Sequence, residues 1–119
     1  MMLINLSNHP SANWSDAQMA AAGKYGEIRD LSFPQIDPTL SPKQINELAA
    51  QYLRQVQMIA SPREAVVHIM GELTFCVVLV DMLKGAGYIC LASTAERKVK
   101  DLGDGKKEVT FDFVQFREY

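Results

Sequence analysis

Ser7, Asn8, His9 and Ser11 lie within five residues, directly after the apolar run Met2–Leu6. Gly71, Glu72 and Thr74 stand in the same relation to Val66–Met70. Ser93, Thr94, Glu96 and Arg97 follow Tyr88–Ala92 in the same way. Hydroxyls, side-chain amides and a guanidinium are the groups that hold phosphates or read the sugar and base edges of a nucleotide. Serine, threonine and asparagine are also good turn and cap residues, so each cluster alone has a simpler reading. Three such clusters, each behind an apolar strand, favour a binding site. His9 is a candidate general acid or base because an imidazole titrates near neutrality; the alternative is an ordinary loop residue before Pro10. Arg97 can bridge two phosphate oxygens, or it can pair with Glu96 at the surface. Glu72 at a helix start has the simpler role of offsetting the helix dipole. His68 sits inside an apolar run and reads as a core histidine with a hydrogen-bonded ring.

Other chemistries lack their residues. The two histidines fall on different strands, and no CxxC or paired-histidine spacing occurs, so no metal site is expected. Cys76 and Cys90 both lie in apolar runs and read as small buried hydrophobes, which suits a reducing cytoplasm. Neither GxxxxGK[ST] nor GxGxxG is present, and no cofactor is expected. A net charge of -2 gives no bulk attraction for duplex nucleic acid. The part up to Leu83 carries 5 basic and 8 acidic side chains and the rest 7 and 6, so the basic groups gather late, around Arg97, Lys98 and Lys100. Met1–Leu6 is too short for a signal peptide and Val77–Leu83 too short to cross a bilayer, so a cytoplasmic protein without a membrane partner is expected.

The elements that must carry these residues read as one domain, residues 1–119. Met2–Leu6 is a strand. Ser15, with Gln18 three residues on, starts a helix that runs to about Lys24. Glu27–Leu31 is a second strand, and Pro34 and Pro38 hold the next stretch as a loop. Ser41, Pro42 and Gln44 mark a second helix start. Ile45, Leu48, Ala49, Tyr52, Leu53 and Val56 then repeat at the spacing of one apolar helix face. Val66–Met70 is a third strand. Gly71–Thr74 turns into an apolar helix over about Leu73–Lys84, stopped by Gly85 and Gly87. Tyr88–Ala92 is a fourth strand, and Ser93–Arg97 is expected as its following loop. Lys98–Leu102 and Lys107–Phe116 flank Gly103-Asp104-Gly105-Lys106, a hairpin signal. The fold class is therefore α/β: a three-layer sandwich on a mostly parallel sheet, with a C-terminal antiparallel hairpin strand. The carboxyl ends of the strands should bring the three polar loops together, with free N–H groups at Gly71–Thr74 as an anion site. Trp14 reads as a hydrophobic lid over the first helix. Phe111, Phe113 and Phe116 read as core or dimer surface.

Leu6-Ser7-Asn8-His9-Pro10 after the first strand and Met70-Gly71-Glu72-Leu73-Thr74 opening the third helix resemble the corresponding turns of the small stand-alone CRISPR-associated Rossmann-fold (CARF) proteins of the ring-nuclease type. The likeness extends over most of the chain in element order. Many members of that family carry a Gly-Gly-Thr-Lys-like turn; this chain has Gly-Glu-Leu-Thr, so a basic group would come from Arg97 or Lys98. The resemblance implies a Rossmann-like domain that binds cyclic oligoadenylate as a homodimer or higher homo-oligomer. It further implies metal-independent cleavage, with the ring's own 2′-OH attacking the adjacent phosphate. His9 and Arg97 would then be the catalytic residues, and Ser7, Asn8, Ser11, Gly71, Glu72, Thr74, Ser93 and Thr94 would bind. Two other readings stand beside it: a non-catalytic sensing or interaction domain of the same fold, and a small enzyme acting on a mononucleotide or phosphosugar.

Overall fold

The computed structural model describes all residues, Met1–Tyr119. The chain runs β1 (Met2–Ser7), a single 3-10 turn at Ser11–Asn13, α1 (Asp16–Gly23), β2 (Glu27–Asp30), α2 (Pro42–Ile59), β3 (Ala65–Met70), α3 (Leu73–Gly85), β4 (Ile89–Gly103) and β5 (Lys106–Glu118). One sheet has the order β2-β1-β3-β4-β5. The first four strands are parallel and β5 is antiparallel to β4. This is an α/β fold with a mostly parallel sheet, compatible with a Rossmann-like arrangement. β1 lies inside the sheet between β2 and β3: it pairs with β3 from Met2↔Ala65 to Ser7↔Met70, and its residues Leu3–Ser7 are all buried.

Local signals placed the helices well. Ser41 Oγ accepts from Gln44 N–H while Gln44 Oε1 accepts from Ser41 N–H, a complete capping box with Pro42 at the first helical position. Ile45, Ala49 and Val56 of α2 are buried, and Leu48, Tyr52 and Leu53 pack beside them against α3 and the sheet. Ser15 caps α1 by accepting from Gln18 N–H. On the opposite sheet face, Ala22 of α1 packs with Leu3, Val66 and Leu91, flanked by Trp14, Tyr25 and Phe116.

The C-terminal half corrects one expectation. Ser93–Arg97 is not a loop. β4 continues unbroken to Gly103, paired with β5 from Leu91↔Glu118 to Gly103↔Lys106, with register shifts at Thr94/Ala95 and Asp101/Gly103. The turn Asp104-Gly105 has φ of 50° and 74°, the left-handed conformation that a two-residue hairpin requires. The outer part of this two-stranded ribbon has no layer over it, and Val99, Leu102, Val109, Phe111 and Val114 are exposed.

Candidate functional site

The order of the sheet reverses between β1 and β3, because β1 leads to β2 on one side and β2 leads to β3 on the other. In an open parallel sheet the crevice outside the carboxyl ends of such a pair is the natural ligand position. A cavity of about 690 Å³ opens there, against the start of α1 and the base of the ribbon. Its wall includes Asn8 and His9 after β1, Gly71 after β3, His68 and Met70 of β3, and Ser93 of β4. Asn13, Trp14, Ser15, Ala17 and Gln18 come from the α1 side, and Phe111, Asp112 and Phe113 from β5. The aromatic and amide groups make the wall mixed in character. No lysine or arginine lines it.

Alternation along the central strands puts Asn5, Ser7, His68 and Ser93 on the face that also carries Leu3, Val66 and Leu91. At the carboxyl end these polar side chains form a continuous chain of hydrogen bonds. Asn5 Nδ2 donates to Asp30 Oδ1 at 2.8 Å and to the His9 carbonyl at 3.0 Å. Asn5 Oδ1 accepts from Ser7 Oγ at 2.8 Å and lies 2.9 Å from His68 Nδ1. His68 Nε2 lies 3.1 Å from Ser93 Oγ. Trp14 Nε1 donates to the His9 carbonyl at 3.1 Å, and the Ser11 hydroxyl and N–H both donate to Asp30. The His68 ring sits edge-on against Trp14 and Phe116. Every buried side-chain polar atom has a partner. Burial first, then electrostatic interaction with His9, pushes His68 down to about 4, so its ring is neutral at pH 7. Burial alone would raise Asp30; hydrogen bonds from Asn5 and Ser11 outweigh it and hold the carboxyl below its ordinary value.

The expected site residues divide into three groups. Asn8, His9, Gly71 and Ser93 share the cavity wall. Ser7 and Ser11 are spent inside the supporting network, Ser7 bonded to Asn5 and His9, Ser11 to Asp30. The others are outside the wall. Arg97 pairs across the ribbon with Phe111, which is in the wall, so it stands on that face beside the cavity; it forms no salt bridge with Glu96, and the one ion pair there is Lys98–Asp112 at 2.9 Å. Thr94 donates to the Gln115 carbonyl. The anion site expected at the start of α3 is taken by the chain itself. Glu72 accepts from Phe75 N–H at 2.8 Å, Thr74 N–H at 3.1 Å and the Thr74 hydroxyl, which hold its carboxyl below the usual range. A carboxylate over those N–H groups repels a phosphate.

Asn5, Asn13, Trp14, Gln18, Phe111, Asp112 and Phe113 were not expected as site residues. For Asn5 the signal was present: a lone amide in the apolar run Met2–Leu6, in phase with Ser7. Gly71 has a packing role as well. A methyl group there would fall on the ring of Phe33, which packs edge-on against Phe75 at 5.2 Å. Gly71→Ala is expected to cost about 1–2 kcal/mol of stability through that overlap, read as a lower urea midpoint. An unchanged midpoint would show that Phe33 moves freely.

Cys76 and Cys90 are buried free thiols pushed up to about 11 by burial, so neither is a ready nucleophile. No cluster of three or more His, Cys, Asp or Glu side chains that could hold a metal ion is present. No helix is long and apolar enough to cross a membrane.

Fold and site together define a small α/β domain with an open cavity at the switch point of its sheet, floored by a buried polar network. Residues 1–117 match the Uncharacterized protein MJ1673 family, and the chain belongs to that family. No curated protein and no solved structure matches it.

Proposed function

We propose that this domain binds a cyclic oligoadenylate, with one adenosine unit in the cavity between β1, β3 and the ribbon. The observation that carries the reading is the composition of that wall. Trp14, Phe111 and Phe113 offer faces and edges for a purine, and Asn8, Asn13 and Gln18 offer paired donors and acceptors for base and ribose edges. A site without lysine or arginine suits the uncharged part of a nucleotide better than its phosphates. That disfavours a mononucleotide or phosphosugar enzyme, which must grip a terminal phosphate. The resemblance to CARF proteins supports the choice of a cyclic ligand. The reading takes the fold as a Rossmann-like three-layer sandwich, supported by apolar clusters on both sheet faces. It takes the assembly as a homodimer, supported by the uncovered apolar ribbon, and the place of action as the cytoplasm, supported by two free cysteines.

Ring opening is the second reading, favoured by His9 in the same wall. In it the imidazole accepts the proton of a ribose 2′-OH as that oxygen attacks the adjacent phosphorus; the bond to the 5′-oxygen breaks, that oxygen takes a proton from water and leaves as a 5′-hydroxyl, and a 2′,3′-cyclic phosphate remains. Arg97, paired across the ribbon with the wall residue Phe111, stands where it can meet a phosphate of a ligand stacked there. The test is calorimetric titration with cyclic tetra-adenylate and cyclic hexa-adenylate in EDTA, with chromatography of the ligand afterwards and light scattering of the complex. Expected are saturable binding of one ring size in preference to linear oligoadenylate, and a dimer mass. Recovery of intact ring assigns a binding module; a cyclic-phosphate product lost in His9→Ala assigns the nuclease. Failure of both rings to bind at 100 µM protein rejects the reading.

A further inference from the structure

The hydrogen-bond chain beneath the cavity has only one consistent direction. Asn5 Nδ2 faces two groups that can only accept, the Asp30 carboxylate and the His9 carbonyl. That fixes the amide, so Asn5 Oδ1 is the atom turned toward His68. An amide oxygen cannot donate; His68 Nδ1 must therefore carry the proton. With the ring neutral, Nε2 is bare, and the Ser93 hydroxyl hydrogen is drawn to it. A hydroxyl has one hydrogen and two lone pairs. What Ser93 has left for the cavity is acceptor capacity alone. Both Asn5 and His68 are 1% exposed, so water cannot relax this arrangement. The amides of Asn8, Asn13 and Gln18 differ, since each presents both a donor and an acceptor.

We propose that Ser93 is a specificity residue, held by His68 and Asn5 as an obligate acceptor on the cavity wall, and that it selects a ligand bringing an N–H or O–H donor to that point. This rests on the adenosine reading above, where the donor is the exocyclic amine of adenine. Hypoxanthine has a carbonyl at that position, and a carbonyl facing a fixed acceptor leaves two oxygens opposed and unpaired. Sites built around a buried hydrogen bond reject the unmatched analogue far better than apolar pockets do.

The experiment has a ligand-free arm and a ligand arm. Long-range nitrogen–proton NMR of the full chain should show His68 with a protonated Nδ1 and a bare Nε2 from pH 6 to 8. A protonated Nε2, or a ring exchanging between tautomers, overturns the fixed acceptor. In the second arm, cyclic tetra-adenylate should bind at least about tenfold more tightly than cyclic tetra-inosinate. Ser93→Ala, checked by its melting curve, should bring the two affinities together. Equal affinities in the wild type overturn the proposal without any variant. If neither ring binds, the nucleotide reading falls and the adenine assignment with it, while the NMR arm still decides the state of Ser93.

Discussion

Asn5→Leu is expected to lower the unfolding free energy by about 3 kcal/mol. Leucine is close to asparagine in size, so the loss is almost entirely polar. Four bonds disappear: two donated to Asp30 and the His9 carbonyl, and two accepted from Ser7 and His68. Three of the partners recover. The Ser7 hydroxyl also lies 3.1 Å from the His9 carbonyl, that carbonyl keeps the Trp14 indole, and Asp30 keeps Ser11. His68 does not recover. Its ring can move the proton to Nε2 and donate to Ser93, but Nδ1 then becomes a bare acceptor facing a methyl group. Whichever tautomer it adopts, one buried ring nitrogen stays unpaired, at about 1–3 kcal/mol, and the charge-assisted bond to Asp30 adds the rest. Urea unfolding at pH 7 reads the change. Asn8→Ala, an exposed amide just after β1, should stay within about 0.5 kcal/mol of wild type. A loss below 1 kcal/mol for Asn5→Leu would mean that the network reorganises around the gap.

That network shows what the sequence could and could not reveal. Helix starts were legible because caps are local: Ser15 with Gln18 and Ser41 with Gln44 act within four residues. The parallel order of the first strands followed from alternation with helices. The site was only half legible. His68 was readable as a bonded core histidine, but its partners lie 63 and 25 residues away, and their identity depends on strand register. Ser93–Arg97 went astray for a related reason. Small polar residues are turn formers, and nothing local says that β5 will supply a pairing partner and keep the chain extended. Ser93, at the base of the ribbon, then lines the cavity, while Arg97 stands beside it, across from the wall residue Phe111. At Gly71–Thr74 the helix start was correctly seen, but the four-residue span also contained the carboxylate that occupies it. Glutamate is not among the short side chains that usually cap a helix, but Glu72 reaches back to the N–H groups of Thr74 and Phe75 that an external anion would need.

Between pH 7 and pH 4 the protein is expected to lose about 3 kcal/mol of stability through His68 alone. The folded ring is held down to about 4 from an ordinary value of 6.5, first by burial and then by electrostatic interaction with His9. Below 6.5 the unfolded chain takes up a proton that the folded chain refuses. Stability is therefore complete above that value, falls as the pH drops, and levels off once the folded ring also protonates near 4. Protonation there reverses the last link of the chain, because Nε2–H then donates to Ser93 and releases the serine hydrogen, while Nδ1–H still donates to Asn5. The carboxylates Asp30, Asp37, Glu64 and Glu72 are all held below their ordinary values, so their contributions are lost at lower pH than the upper part of this window. The interval from pH 6.5 to 5 thus lies above the carboxylates. Urea midpoints measured across it should fall steadily in the wild type. His68→Gln keeps an amide donor for Asn5 but cannot titrate, so its midpoint should vary much less over the same interval, whatever its absolute stability. A flat wild-type profile, or an equal slope in His68→Gln, would place the pH dependence elsewhere and leave His68 free to be charged inside the fold.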